Sequence, residues 1–189
     1  MPTKIITEPG VEPVTLADAK QYLRVSGTDE DALILRLIAT ARRRAEKLTW
    51  RALCTQTIDY VLDEFHCRVI ELPAPPLQSV THVKYFDLNG TEQTMDSSLY
   101  QVDTISEPGR IAPAYLQVWP STRDQMNAVT VRMVCGYGGT AQVPPDIANA
   151  VLLMVGHYYE HREEVSDFEK FPVPNSAECL LETYRSLRF

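Results

Sequence analysis

The sequence predicts an α+β fold: a small helical bundle with an antiparallel β region inserted into it. Three observations carry this reading. Apolar residues recur every three or four positions in segments that begin near Thr15, Thr28, Pro144 and Asn175, the spacing of a helix with one buried face. From Cys54 to Cys135 the texture changes to β-branched and aromatic residues separated by turn signals, as in a sheet. The longest strongly apolar stretch, VPPDIANAVLLMVGHYYEHREE from Val143 to Glu164, is apolar enough to lie at the centre of a core.

Residues 1–13 predict an extended arm, because Pro2, Pro9, Gly10 and Pro13 block regular structure. Thr15 then caps a short helix, with Asp18 favourable near its positive end and Leu16, Ala19 and Leu23 on one face. Val25-Ser26-Gly27 closes it. The long central helix is expected from Thr28 to about Trp50, with Asp29, Glu30 and Asp31 in its first turn. Its buried stripe is Ile34, Leu37, Ile38, Ala41, Ala45 and Leu48. Arg42, Arg43, Arg44, Lys47 and Arg51 crowd its C-terminal half, as a solvated face or a contact with another subunit.

The β region then runs through strands around Thr57–Val61, Val69–Leu72 and Val80–Tyr85. Asn89-Gly90 predicts a tight hairpin whose two central residues both take positive φ. Further strands follow at Tyr100–Val102, after Pro108-Gly109, and at Val129–Cys135, where apolar and polar residues alternate. Pro144 and Pro145 open the apolar helix, since proline is tolerated in a first turn. Its stripe is Ile147, Val151, Met154, Val155 and Tyr158, widened by Leu152 and Tyr159. After a linker holding Pro172 and Pro174, an amphipathic segment carries Ala177, Leu180, Leu181, Tyr184 and Leu187. Its apolar face is expected to dock, on its own chain or on a partner. The predicted organisation is a helical core of residues 14–53 and 143–164, a β insert of 54–142, and a C-terminal arm of 165–189.

Composition bounds the function. A chain of 189 residues can bury roughly 70% of its unfolded surface. The formal net charge of −7 argues against a duplex-coating protein, which needs clustered basic residues to displace counterions. It permits a protein through which DNA passes without sticking. Cys54, Cys67, Cys135 and Cys179 form no CxxC pair and read as reduced thiols of a cytosolic protein. The N-terminus has no apolar signal core. No apolar run approaches the roughly 20 residues needed to cross a bilayer, so no membrane association is expected.

His157-Tyr158-Tyr159-Glu160-His161 matches H-x-x-E-H, the spacing that places two imidazoles and a carboxylate on one helix face in some zinc hydrolases. Such a site needs a third protein ligand from well downstream, and little chain follows His161. The pattern reads as the end of an amphipathic helix. No metal, cofactor or catalytic set is expected.

In order, VTLADAKQYLRV, DEDALILRLIATARRRAEKLTWRAL, ELPAPPLQSVTHVKYFDLNG, the GYGG that ends a strand, and VPPDIANAVLLMVGHYYEHREE resemble the head-tail connector (head-completion adaptor) proteins of long-tailed bacteriophages and prophages. The match is to the version with a β insert and covers about residues 14–164. The resemblance implies a non-enzymatic ring of about twelve copies beneath the portal protein, between it and a tail-side neck protein, continuing the DNA channel. It implies a place in the virion neck, and in the bacterial host cytoplasm during assembly. The alternatives are another neck component, such as a tail-completion or stopper protein, or a zinc-dependent hydrolase using His157, Glu160 and His161.

Two sets of residues are expected to serve such a ring. Arg42, Arg43, Arg44 and Lys47 of one copy would face Glu160, Glu163 and Glu164 of its neighbour, a head-to-tail contact of the kind that closes rings. Leu180, Leu181, Tyr184, Leu187 and Phe189 would form an arm that docks on the portal.

Overall fold

The computed structural model describes residues 3–161 and 175–186. The chain forms two compact units. One joins Met1–Gly10 to Thr55–Tyr137, and the other joins Val11–Cys54 to Gly138–Phe189.

The second unit is helical. Helix α1 (Leu16–Leu23) opens on a complete capping box: the Thr15 hydroxyl accepts from the Asp18 N–H at 3.1 Å, and the Asp18 carboxylate accepts from the Thr15 N–H at 3.4 Å. It closes at Arg24, in the left-handed region at φ 58°, three residues before the expected glycine. Helix α2 (Asp31–Thr49) starts later than its acidic run suggests. Thr28 begins a turn instead, and its carbonyl accepts from the Asp31 N–H at 3.2 Å. Ile34, Ile38, Ala41 and Ala45 form its buried stripe.

Helix α3 (Pro145–Glu160) has Pro144 at the cap and Pro145 in the first turn. It buries Ile147, Ala150, Val151, Met154 and Val155. Ala150, absent from the expected stripe, is buried one turn after Ile147. Helix α2 packs on α1, α3 and the last helix, α4 (Asn175–Glu182), and α3 packs on α1 and α4. Gly156 sits where α3 meets α1: a Cβ there would lie 2.9 Å from Cε1 of Tyr22. That close approach accounts for a glycine inside a helix, where it costs about 1 kcal/mol relative to alanine.

The first unit holds two antiparallel sheets. Five strands run in the order β1 (Thr3–Thr7), β2 (Gln56–Leu62), β8 (Val129–Cys135), β4 (Leu77–Phe86), β5 (Glu92–Thr94). Three more run β3 (Ile70–Glu71), β7 (Arg110–Pro113), β6 (Tyr100–Asp103). Strand β8 alternates buried and half-buried residues along its whole length. Ile58, Tyr60, Val83, Val131 and Met133 of the larger sheet are buried, as are Ile70 and Ile111 of the smaller.

Two expectations are corrected here. The N-terminal arm is extended but paired: β1 lies along β2, with Thr3 opposite Tyr60 and Ile5 opposite Ile58. Pro9 and Pro13 follow the strand, so they do not interrupt the ladder. The Asn89-Gly90 turn is also not the tight two-residue kind. Only Gly90 takes positive φ, at 81°. The Asp87 carboxylate accepts from the N–H groups of Asn89 and Thr91 at 2.9 and 3.0 Å, so the side chain organises a longer loop with glycine at its left-handed position.

Candidate functional site

The basic residues of α2 do not form one surface. Successive residues on a helix point about 100° apart, so a run of three arginines must divide among faces. Arg42 is buried. Its Nε donates to the Glu12 carboxylate at 2.8 Å and its Nη1 to Glu46 at 3.0 Å. The other oxygen of Glu46 accepts from the Leu53 N–H at 3.1 Å. Burial pushes the Glu46 carboxyl up, while the Leu53 N–H and Arg42 pull it back. Cys54 is pushed up to about 12 by the same burial and by Glu12 and Glu46, so its thiol is inert. This cluster is a structural knot, with Arg42 buried inside it.

Arg44 is half-exposed and lies 3.9 Å from the Glu178 carboxylate of α4. Arg43 and Lys47 are exposed and stand four residues apart on α2, which puts them on one face. Glu160 is exposed in the last turn of α3. A carboxylate there opposes the negative end of the helix dipole, a cost of about 0.3–1 kcal/mol. Glu163 and Glu164 lie outside the described residues.

The C-terminal face docks on its own chain. Ala177 and Leu181 are buried, Leu180 is half-buried, and the Ser186 N–H donates to the Thr49 carbonyl at 2.9 Å. The Arg51 Nε donates to the Tyr184 carbonyl at 2.5 Å, and the Tyr184 hydroxyl to Asp146 at 3.1 Å. Leu187 and Phe189 lie outside the described residues.

The rings of His157 and His161 stand 4.8 Å apart, as helical spacing requires. Burial, then the neighbouring His161, lowers the His157 pKa. Among the described residues no group of three His, Cys, Asp or Glu could hold a metal ion. The imidazole pair therefore has no third ligand there.

One charged row in the β unit escaped sequence reading, because it exists only through register. Lys4, Asp59, Arg132 and His82 are consecutive cross-strand partners on β1, β2, β8 and β4. Arg132 holds Asp59 with two hydrogen bonds of 2.7 and 2.8 Å. Those bonds keep the Asp59 carboxyl below its usual range. Burial, then the charges of Arg132 and Lys84, lowers the His82 pKa. Both groups have folded pKa values below their unfolded ones. Each therefore contributes stability that is present above the unfolded value and lost as pH falls through the folded one. Thermal melts of Asp59→Asn should show a flatter acid limb below about pH 4. An unchanged limb would mean that the pair does not couple to folding.

A family model described as head completion protein matches residues 12–187. No curated protein sequence matches the chain. Among solved structures, the chain is similar to one from the neck of an empty GTA particle computed with C6 symmetry, with TM-score 0.83 and 22% identity. A second, from the virion of a native gene transfer agent (GTA) particle, gives TM-score 0.81 at 22% identity. A third, from the neck of a native GTA particle computed with C12 symmetry, gives 0.77 at 22% identity. In each case 100% of this chain and 97% of the other are covered. At this identity the likeness speaks to the fold.

Proposed function

The chain belongs to the head completion protein family, and from that premise we propose that it is a structural adaptor of a phage neck. It joins the DNA-filled head to the tail as a ring under the portal protein and continues the DNA channel toward a tail-side neck protein. The observation that carries this reading is the family match across residues 12–187. The similar chains from GTA necks computed with C6 and C12 symmetry support a ring. The formal net charge of −7 supports a channel that DNA crosses without binding. Assembly takes place in the host cytoplasm and ends in the virion neck. No step of this role is catalytic.

Within the ring, Arg43 and Lys47 of one copy face Glu160 of the next, joined by Glu163 and Glu164. The shared face of Arg43 and Lys47, and the unfavourable position of Glu160 on its own helix, support that pairing. Docking on the portal falls to Leu180 and the residues beyond Ser186, since Leu181 is already buried.

Electron microscopy of the chain mixed with portal assemblies tests the reading, and a stacked ring is expected. The double variant Arg43→Glu/Lys47→Glu should lose the ring, and adding Glu160→Lys should restore part of it. Portals that stay bare with the wild-type chain would sink the adaptor reading. Rings that survive the double variant would sink only the charge pairing.

A further inference from the structure

No residue of strand β1 is buried: Thr3, Lys4, Ile5, Ile6 and Thr7 are all exposed. The strand therefore belongs to no core. What holds it is its ladder with β2, where Lys4 lies opposite Asp59, Ile5 opposite Ile58 and Thr7 opposite Thr57. All of its residues except Lys4 are β-branched, which suits the segment to a strand wherever a matching edge is offered. Strand β2 is the opposite kind of element. Gln56, Ile58, Asp59 and Tyr60 are buried, and β2 is paired with β8 from Gln56 to Leu62. It is a fixed template, and β1 occupies its remaining edge.

The connection from β1 to the rest of the chain is short and extended. Glu12 is a fixed point: its carboxylate accepts from the Arg42 Nε at 2.8 Å, and its carbonyl accepts from the Thr140 hydroxyl at 2.7 Å. Pro13 and Val14 behind it are buried. The chain passes from the β unit to the helical unit between Gly10 and Val11. Glu8, Gly10 and Val11 are exposed, and a Cβ at Gly10 would meet nothing within 4 Å. Pro9 favours an extended Glu8 and has no N–H to give to a turn. The ladder also shifts register between Ile5 and Thr7, where the strand leaves for this hinge. Residues 8–11 thus join a fixed point to a strand without a core, and they span at most about 14 Å.

We infer that in the ring β1 of each copy pairs with β2 of the adjacent copy, so that neighbours are linked by exchanged strands. The structure shows which segment fits the β2 edge: this strand, in this register. Exchange re-forms the same ladder, with Lys4 again opposite Asp59, and alters only the hinge, so it is a low-cost way to join copies. A hinge of this reach serves a touching neighbour and no other, and a closed head-to-tail ring supplies one to every copy. Each copy then gives one strand and receives one, and no β2 edge is left bare. Main-chain hydrogen bonds carry the affinity, as they do wherever an extended segment is added to a sheet edge. The inference rests on the ring proposed above and adds a second link to its contact.

A disulfide between facing positions tests it, in the full chain with the exposed Cys67 and Cys179 replaced by serine. In Thr7→Cys/Thr57→Cys the altered residues are antiparallel partners, with Cα atoms about 4.5–5.5 Å apart, a separation that a disulfide bridges. Oxidised as dilute free chain, the variant should close the bond within one copy. Oxidised after assembly on the portal, it should join successive copies, and non-reducing gels should show multimers up to the full ring in place of most of the monomer band. Lys4→Cys/Asp59→Cys takes its place if the first variant does not fold or does not bond. Chain oxidised before portal is added keeps its strand at home and should need about tenfold more protein to reach half occupancy. Oxidised rings that run only as monomer, with both thiols consumed, would overturn the inference and leave the adaptor reading standing. Unchanged occupancy by the pre-oxidised chain would do the same. Portals left bare by the wild-type chain would end both.

Discussion

Arg42→Ala is expected to lower the stability of the chain by about 3–5 kcal/mol, the usual loss when one partner of a buried ion pair is removed. For a chain of this size that corresponds to a fall in Tm of roughly 10 °C. The substitution strands Glu12 and the half-buried Glu46. Glu46 would retain the Leu53 N–H as a donor, but one neutral donor does not replace a guanidinium. The pH dependence has a definite sign. The folded pKa of Glu46 already lies above its unfolded value of 4.5, and losing Arg42 raises it further. A raised carboxyl gives up stability as pH rises through its folded pKa. The deficit of the variant should therefore be largest at neutral pH and shrink as the solution approaches about pH 4.5. Urea denaturation at both pH values measures it. Arg43→Ala, on the exposed side of the same helix, should cost no more than about 1 kcal/mol, the range of surface ion pairs. Equal losses from the two substitutions would refute the division of the basic cluster into a buried member and exposed ones.

The second large effect is expected at Gly109. A Cβ at this position would stand 2.6 Å from both Cβ and Cδ2 of Leu77, too close for real atoms. Leu77 is buried at the start of β4, and its Cβ moves only with its backbone. The Gly109 carbonyl also accepts from the Leu72 N–H at 2.7 Å, so the turn cannot retreat without loosening that bond. Gly109→Ala should cost about 1–3 kcal/mol by overpacking. Leu77→Ala should cost about 2–5 kcal/mol as a cavity. Combined, they should cost at least about 1 kcal/mol less than their sum, since the smaller side chain makes room for the added methyl. Strict additivity of the two denaturation energies would show that the contact carries no strain.

Much of the helical unit was legible in the sequence, and for a physical reason. The 3.6-residue period of Ile34, Ile38, Ala41 and Ala45, and of Ile147, Val151, Met154 and Val155, marks the faces that are buried. The capping pair Thr15 and Asp18 is local chemistry, and it formed as its spacing required. What sequence reading missed is non-local. The pairing of β1 with β2 joins residues fifty or more positions apart, and no short-range signal encodes it. The Lys4–Asp59–Arg132–His82 row depends on register across four strands. The basic run of α2 misled because composition counts charges without resolving the 100° between successive side chains. Only burial distinguishes Arg42 from Arg43.

The order of the larger sheet also bears on when this chain can first be used. Strand β8 lies between β2 and β4 yet is the last strand to leave the ribosome. Until it emerges, β1 with β2 and β4 with β5 are two separate ribbons, and two-stranded ribbons are marginal in water. The helical unit waits as well, because α2 packs on α3, which follows β8 in the chain. At translation rates of about 5–20 residues per second, the N-terminal strand spends several seconds without a finished sheet. A chain cut short before Val129 therefore has neither unit complete. It cannot present the shape of a finished copy, because both the sheet and the helical unit are completed by the last third of the sequence.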